Sequence, residues 1–304
     1  MNNKKLISLC IPTNGVIEWV FPVLESIYAQ GVETALYEIV ITDNGDNIEF
    51  KKKIIEYSKK HSNLIYKETT ALPFLNEIEA YKIANGELIK FVNHRTKLRD
   101  GTLQKLIEFA ENNKEDKPVI YFTNGVLPLK TEKIIYQDFD SFVCGLSYWS
   151  SWSTGMAIWK EDFKSLPADI SEYNELFPHT TILFHRKNGN KYVIDNTTIF
   201  DELPQGKKPK GNYDLFRTFG IEYPGIICDL LRGGYISNKT FCSVAKNNLE
   251  FIASLYFDYC VRKRYCSYNL DGLKDMFGVF YTKRKLYQVT LKVILKKVKC
   301  KIAG

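Results

Sequence analysis

Four short apolar runs, each ending in polar or turn-forming residues, constrain this 304-residue chain more than any other feature. Residues 6–13 (LISLCIPT) lead into Asn14-Gly15 and then into helical apolar spacing over 18–30. Residues 37–42 (YEIVIT) stop at Asp43-Asn44-Gly45-Asp46, and 48–60 again reads as helix. Residues 64–67 make a third strand. A helix over 74–84 then closes at Asn85-Gly86, a helix-ending pair, before a fourth strand at 87–92 (ELIKFV). Strands alternating with helices at this spacing predict an α/β fold with a Rossmann-like, mostly parallel and mostly buried sheet.

The pattern continues with a helix over 103–112, capped by Asp100-Gly101-Thr102, and a strand at 119–123. A region rich in Tyr, Trp and Ser then breaks the alternation. Prolines, glycines and lysines at 201–214 mark a surface linker. The expected division is a first domain over 1–206 and a helical region over 207–304, with helices at 213–232, 239–265 and 270–281.

Composition narrows the possibilities. A hydrophobic content of 45% supports a sizeable core rather than disorder. Neither a signal-peptide pattern nor a run of about 18 apolar residues is present, so a cytoplasmic chain is expected. Seven scattered cysteines lack the paired spacing of a zinc site and read as reduced structural thiols. The formal charge of +7 would suggest nucleic acid if it were spread out, but eight Lys/Arg and no acid fall after residue 282. Removing those eight from 42 leaves 34 basic residues against 35 acidic. No nucleic-acid partner is therefore expected.

In an open α/β sheet, ligands collect beyond the carboxyl ends of the strands. Three such ends stand out: Pro12-Thr13-Asn14, Asp43-Asn44-Gly45 and Asn93-His94-Arg95, expected to converge on one cleft.

The IPT start of the first strand, the strand ending at Asp43, and Ala84-Asn85-Gly86-Glu87 before an apolar strand and a polar triplet together resemble family 2 glycosyltransferases. The resemblance covers roughly residues 5–115 and includes 98–109 (LRDGTLQKLIEF), similar to a helix of bacterial, abequosyltransferase-like surface-glycan enzymes. It implies a GT-A fold with a C-terminal helical appendage, and inverting transfer from a nucleotide-sugar donor, UDP-linked by preference. It also implies that Pro12, Thr13, Asn14 and Asn44 lie against the nucleotide and that Asp43 accepts a hydrogen bond from the base, as an acceptor-only carboxylate can. Asn76 would join the donor side from the helix before strand four. Asp-Asn-Gly-Asp is equally ordinary turn chemistry and Asn76 an ordinary helix start, so both readings stay open.

The same resemblance implies metal-binding carboxylates after strand four, where a divalent cation neutralises the leaving diphosphate. This chain has Asn93, His94 and Arg95 there. A guanidinium can clamp phosphate oxygens through two parallel hydrogen bonds, so a donor site without metal or other cofactor is expected, with Arg95 central and His94 assisting. The rival reading is a solvated Arg95 on a fold that has lost catalysis and serves as a donor-binding or scaffold subunit.

On the acceptor side, Trp152 and Gly155 fall in a stretch, 153–159, that resembles the family's small-residue loop and strand. The base is then expected some twenty residues later, at a helix start. Glu175 and His179 are the candidates, ahead of Glu172 and Asp169, while Trp149, Trp152 and Trp159 serve either sugar stacking or packing. The acceptor would be lipid-linked or an oligosaccharide, in capsule or O-antigen synthesis.

From residue 287 onward, Tyr287, Leu291, Ile294, Leu295, Val298 and Ile302 share one helical face, with Lys285, Lys292, Lys296 and Lys299 roughly opposite. The segment from Lys283 to Lys301 is thus expected to dock on an anionic membrane surface, the inner face of the cytoplasmic membrane. The alternative is that its apolar face packs on the helical region.

Overall fold

In the computed structural model, which describes residues 5–189, 191–204 and 213–302, the alternating pattern becomes a layered sheet. Its order along the chain is β1 (Ile7–Thr13), α1 (Ile17–Tyr28), β2 (Tyr37–Asp43), α2 (Ile48–Ser58), β3 (Leu64–Glu68), α3 (Asn76–Ile83) and β4 (Leu88–Phe91). Ile7, Leu9, Ile11, Ile39 and Ile41 are wholly buried. Parallel strands covered by helices on both faces require such continuous apolar runs. Asn47 caps α2 by accepting the Phe50 N–H, which starts that helix directly after the β2 turn.

Next come β5 (Thr96–Leu98), α4 (Thr102–Asn113), β6 (Val119–Phe122) and β7 (Lys133–Tyr136). After α5 (Phe139–Leu146) follow β8 (Ala157–Trp159), α6 (Lys160–Lys164), α7 (Pro178–Leu183), β9 (Tyr192–Asp195) and β10 (Phe200–Glu202). The main sheet runs β3-β2-β1-β4-β8, with the first four strands parallel and β8 antiparallel to β4. β5 pairs with β10, and β6-β9-β7 form a third sheet. The register sets Thr13 opposite Asp43 and Cys10 opposite Phe91, so β4 stops early and the turn at 93–95 follows it. The cap expected ahead of α4 is Gly101 at φ +75°, with no side-chain hydrogen bond.

The chain divides into two compact units, residues 1–138 with 150–204, and residues 139–149 with 205–304. The stretch 139–149, which the sequence places in the first domain, thus packs with the C-terminal unit. In that unit α8 (Leu215–Arg217) continues through a π-helical stretch, Thr218–Glu222, into α9 (Tyr223–Arg232), and α10 (Asn238–Leu255) starts at a Ser237 cap. The helix expected over 270–281 does not form. Only a 3-10 turn, Asp271–Leu273, is present; Asp214 takes the Gly272 N–H, and Gly278 sits at φ +89°. The core of this unit joins Phe216, Leu249, Ile252 and Met276 to Leu286 and Val293 of α11 (Lys283–Ile302). The apolar face predicted for that helix is not the one that packs, because Tyr287, Leu291, Leu295 and Val298 are exposed.

Candidate active site

Apart from Trp149, the candidate site residues lie in the first unit. At the end of β1 the Thr13 carbonyl accepts from the Asn44 N–H at 3.1 Å and from the Asn76 amide at 3.3 Å. The Asn76 amide also donates to the Thr42 carbonyl at 2.9 Å, and its oxygen accepts from the Thr69 hydroxyl. Asn76 is 1% exposed and every polar group it carries is engaged. The donor-side position implied for it is therefore corrected: it is a buried stitch that fixes the two strand ends, as backbone carbonyls leaving a sheet demand.

Asp43 is buried too. Its carboxylate accepts from the Gly45 N–H at 2.9 Å and from the Tyr66 hydroxyl at 3.1 Å, bonds that counter the rise in pKa caused by burial. The turn chemistry open in the sequence is thus present, and a nucleobase would meet a carboxylate already oriented. Asn44 is half-buried and donates to the Ala71 carbonyl, Pro12 is half-buried, and Asn14 is exposed. Gly45 admits no side chain, because a Cβ there would stand 2.2 Å from the Asn14 carbonyl oxygen.

The turn after β4 is built by its own residues. The Asn93 side-chain oxygen accepts from the Arg95 N–H at 3.0 Å, and its carbonyl accepts from Thr96. His94 Nδ1 lies 2.8 Å from the Thr13 hydroxyl, which also accepts from the Gly15 N–H. Burial, and then the charge of Arg95, hold the His94 ring down to about 4, so it is neutral at pH 7. A neutral ring taking the threonine proton on Nδ1 carries its own on Nε2.

The Arg95 guanidinium sits 5.4 Å from the Trp19 ring centroid, 3.9 Å from Glu202, and its side chain is 13% exposed. Arg95 is therefore not the solvated loop residue of the rival reading. The aromatic face and the Glu202 carboxylate together hold the guanidinium in place. The turn is clamped from below by the Leu203 N–H on the Arg95 carbonyl.

These side chains make a poor set for a divalent cation. Asn93 and His94 are spent on Arg95 and Thr13, and Arg95 adds a positive charge where a cation would bind. Among the described residues no group of three His, Cys, Asp or Glu side chains converges as metal ligands.

On the acceptor side, Gly155 is buried against Tyr121, and a Cβ would meet that ring at 2.3 Å. Trp152 is 37% exposed, and its carbonyl accepts from the Tyr121 hydroxyl. Trp159 is core, donating to the Pro118 carbonyl, and Trp149, in the second unit, stacks on Tyr148. Glu175 is exposed one residue after Asn174, whose side chain accepts the Leu176 and Phe177 N–H groups. Glu172 is exposed, and Asp169 caps a 3-10 turn.

His179 is 4% exposed: Nε2 lies 2.9 Å from the Ser151 carbonyl and Nδ1 3.7 Å from the buried Glu77 carboxylate. A general base must reach an acceptor hydroxyl, so the candidate base His179 is corrected to a buried structural partner. Burial pushes the Glu77 carboxyl up and His179 down, to about 4.

Two residues here escaped the sequence reading. Glu77 is one. The other is Lys90, 2% exposed in the middle of β4, whose ammonium donates to the carbonyls of Phe91, Thr154 and Met156 at 2.8, 2.6 and 3.3 Å. Burial lowers it to about 7. The signal was present: a lysine amid an otherwise apolar strand needs partners inside.

These elements build a GT-A glycosyltransferase fold, an α/β unit with a mostly parallel central sheet. Among solved structures the chain is similar to S. aureus TarS, with a TM-score of 0.54 at 16% identity over 83% of this chain and 44% of that one. It is also similar to TarS 1–349, with a TM-score of 0.52 at 16% identity over 83% of this chain and 72% of that one. The chain thus spans less than half of TarS. No family model matches it, and no curated protein does.

Proposed function

We propose that this chain is an inverting glycosyltransferase that moves a sugar from a nucleotide diphosphate, UDP by preference, to a lipid-linked or oligosaccharide acceptor. Its setting would be bacterial capsule or O-antigen assembly, as in abequosyltransferase-like enzymes. The observation that carries the reading is Arg95, seated on Trp19 beside the ends of β1 and β4. A fixed guanidinium there takes the negative charge of the departing diphosphate, the part a metal plays elsewhere. Glu175 removes the acceptor proton as the hydroxyl oxygen bonds to the anomeric carbon. The glycosidic bond to the diphosphate breaks with its electron pair leaving on phosphate oxygen.

A second reading, a donor-binding subunit without turnover, is favoured by the burial of His179, which leaves Glu175 without a neighbouring base. Binding and slow hydrolysis of a panel of nucleotide sugars, with and without EDTA, test both. Binding and hydrolysis indifferent to EDTA are expected. Loss on chelation would overturn the role of Arg95, binding without hydrolysis or transfer would favour the second reading, and no binding at all would overturn both.

A further inference from the structure

Two apolar faces run along α11, and the core of the second unit uses one of them. Leu286, Thr290 and Val293 are buried, with Val289 packed beside them. Tyr287, Leu291, Leu295 and Val298 are 42%, 62%, 61% and 47% exposed. At about 100° per residue these four share a sector roughly 80° wide, well away from the buried face, and extend over about 16 Å. Three aliphatic side chains and a tyrosine in line on an exposed helix face need a partner.

The charges beside the stripe identify it. The segment 282–304 holds eight Lys/Arg and no acid. Lys296 and Lys297 reach back to Glu250 and Asp258 at 3.3 and 3.1 Å. Among the described residues Arg284, Lys285 and Lys292 are exposed and form no ion pair, and Lys283 lies 5.8 Å over the Tyr287 ring. Unpaired cations flanking an apolar stripe match an anionic lipid surface: the stripe enters the acyl boundary while the long basic side chains extend to the phosphates. No described helix is long and apolar enough to cross a membrane, so the contact is interfacial. A second copy of the helix would set like charges face to face. A nucleic acid would leave the leucines uncovered.

We propose that the exposed face of α11 docks the chain on an anionic lipid bilayer, with Tyr287, Leu291, Leu295 and Val298 as the inserted stripe. This inference does not depend on the donor reading.

The test is co-sedimentation of the full chain with vesicles of phosphatidylcholine alone and of phosphatidylcholine mixed with phosphatidylglycerol. Binding to the mixed vesicles, weakened by salt and absent on the neutral ones, is expected. Leu291→Asp with Leu295→Asp should abolish it at an unchanged thermal midpoint, because both side chains are exposed. Arg284→Ser with Lys292→Ser should weaken it roughly five-fold per cation. UDP-sugar binding, measured on the same samples, should be unchanged in both variants. Equal binding to both vesicles, binding to neither, or wild-type binding by the leucine variant would overturn the proposal. So would a dimer in sedimentation equilibrium that the leucine variant splits. Should the leucine variant fail to fold, wild-type binding by the cation variant overturns it just as well.

Discussion

The Thr13 hydroxyl stands 2.8 Å from Nδ1 of His94, tying the end of β1 to the turn after β4 across 81 positions of sequence. That bond fixes the residue directly before Arg95, and the Asn93 side chain fixes Arg95 itself. Thr13→Val keeps the shape and leaves His94 and the Gly15 N–H without their shared partner. A loss of about 1–2 kcal/mol in stability is expected, with roughly ten-fold weaker UDP-sugar binding as the turn loosens. Calorimetric titration and urea melts on one preparation check this; unchanged values for both would detach Thr13 from the site.

Arg95→Ala should raise the Kd for a UDP-sugar about 10- to 100-fold and leave uridine binding alone, since a bidentate contact of this kind is worth about 1.5–3 kcal/mol. Arg95→Lys should recover only part, because a point charge neither forks nor stacks on Trp19. Equal losses for the sugar nucleotide and the nucleoside would show that Arg95 does not touch phosphate.

The lowered His94 pKa makes stability depend on pH with a definite sign. The unfolded imidazole protonates near 6.5, the folded one near 4, so the unfolded chain binds more protons between those values. Stability is fully present above about pH 6.5 and declines as pH falls toward 4, by about 3 kcal/mol from this ring. His179, also held down to about 4 by burial, adds slope of the same sign, and the burial that raises the Glu77 carboxyl opposes it. Urea melts at intervals from pH 7 to 4.5 should show the decline, and His94→Gln should make it shallower, leaving the share of His179, His61 and His185. An equally steep decline in the variant would count against a half-buried, neutral His94.

The four strand-and-turn units were legible in the sequence because parallel strands buried on both faces need unbroken apolar runs, and turns need Gly, Asn and Asp. The GT-A class was implied by the resemblance of these units to family 2 glycosyltransferases. Contacts at a distance were not legible. Nothing local in Asn76 says that its amide spans two strand ends, or in His179 that Glu77 lies behind it. In α11 the periodicity showed one apolar stripe, whereas the packed face uses Leu286 and Val293 and includes Thr290, a residue whose polarity hides its burial by bonding back to the Leu286 carbonyl. The helix expected at 270–281 failed through Asp214, a partner more than fifty residues earlier.

Lys90 joins β4 to the loop that carries Trp152 and Gly155. Lys90→Met fits the strand but takes the ammonium from the Phe91 and Thr154 carbonyls, while the Met156 carbonyl keeps the Phe91 N–H, at a cost of about 2–4 kcal/mol. Chymotrypsin cleavage after Trp152 should then quicken, because that turn loses its anchor to the sheet. A variant as stable and as resistant as the wild type would leave the ammonium without a structural role.

Glu175 and His179 lie four residues apart and call for opposite outcomes. Glu175 is exposed on a turn held by Asn174, so Glu175→Gln should leave the thermal midpoint and UDP-sugar Kd unchanged while lowering kcat for transfer about 100-fold or more. His179 is enclosed between the Ser151 carbonyl and Glu77, so His179→Asn should cost about 2–3 kcal/mol, with kcat measured below the melting range falling little. Loss of turnover in His179→Asn with its fold intact would return the base to the histidine and require the Ser151 loop to open before an acceptor could reach it.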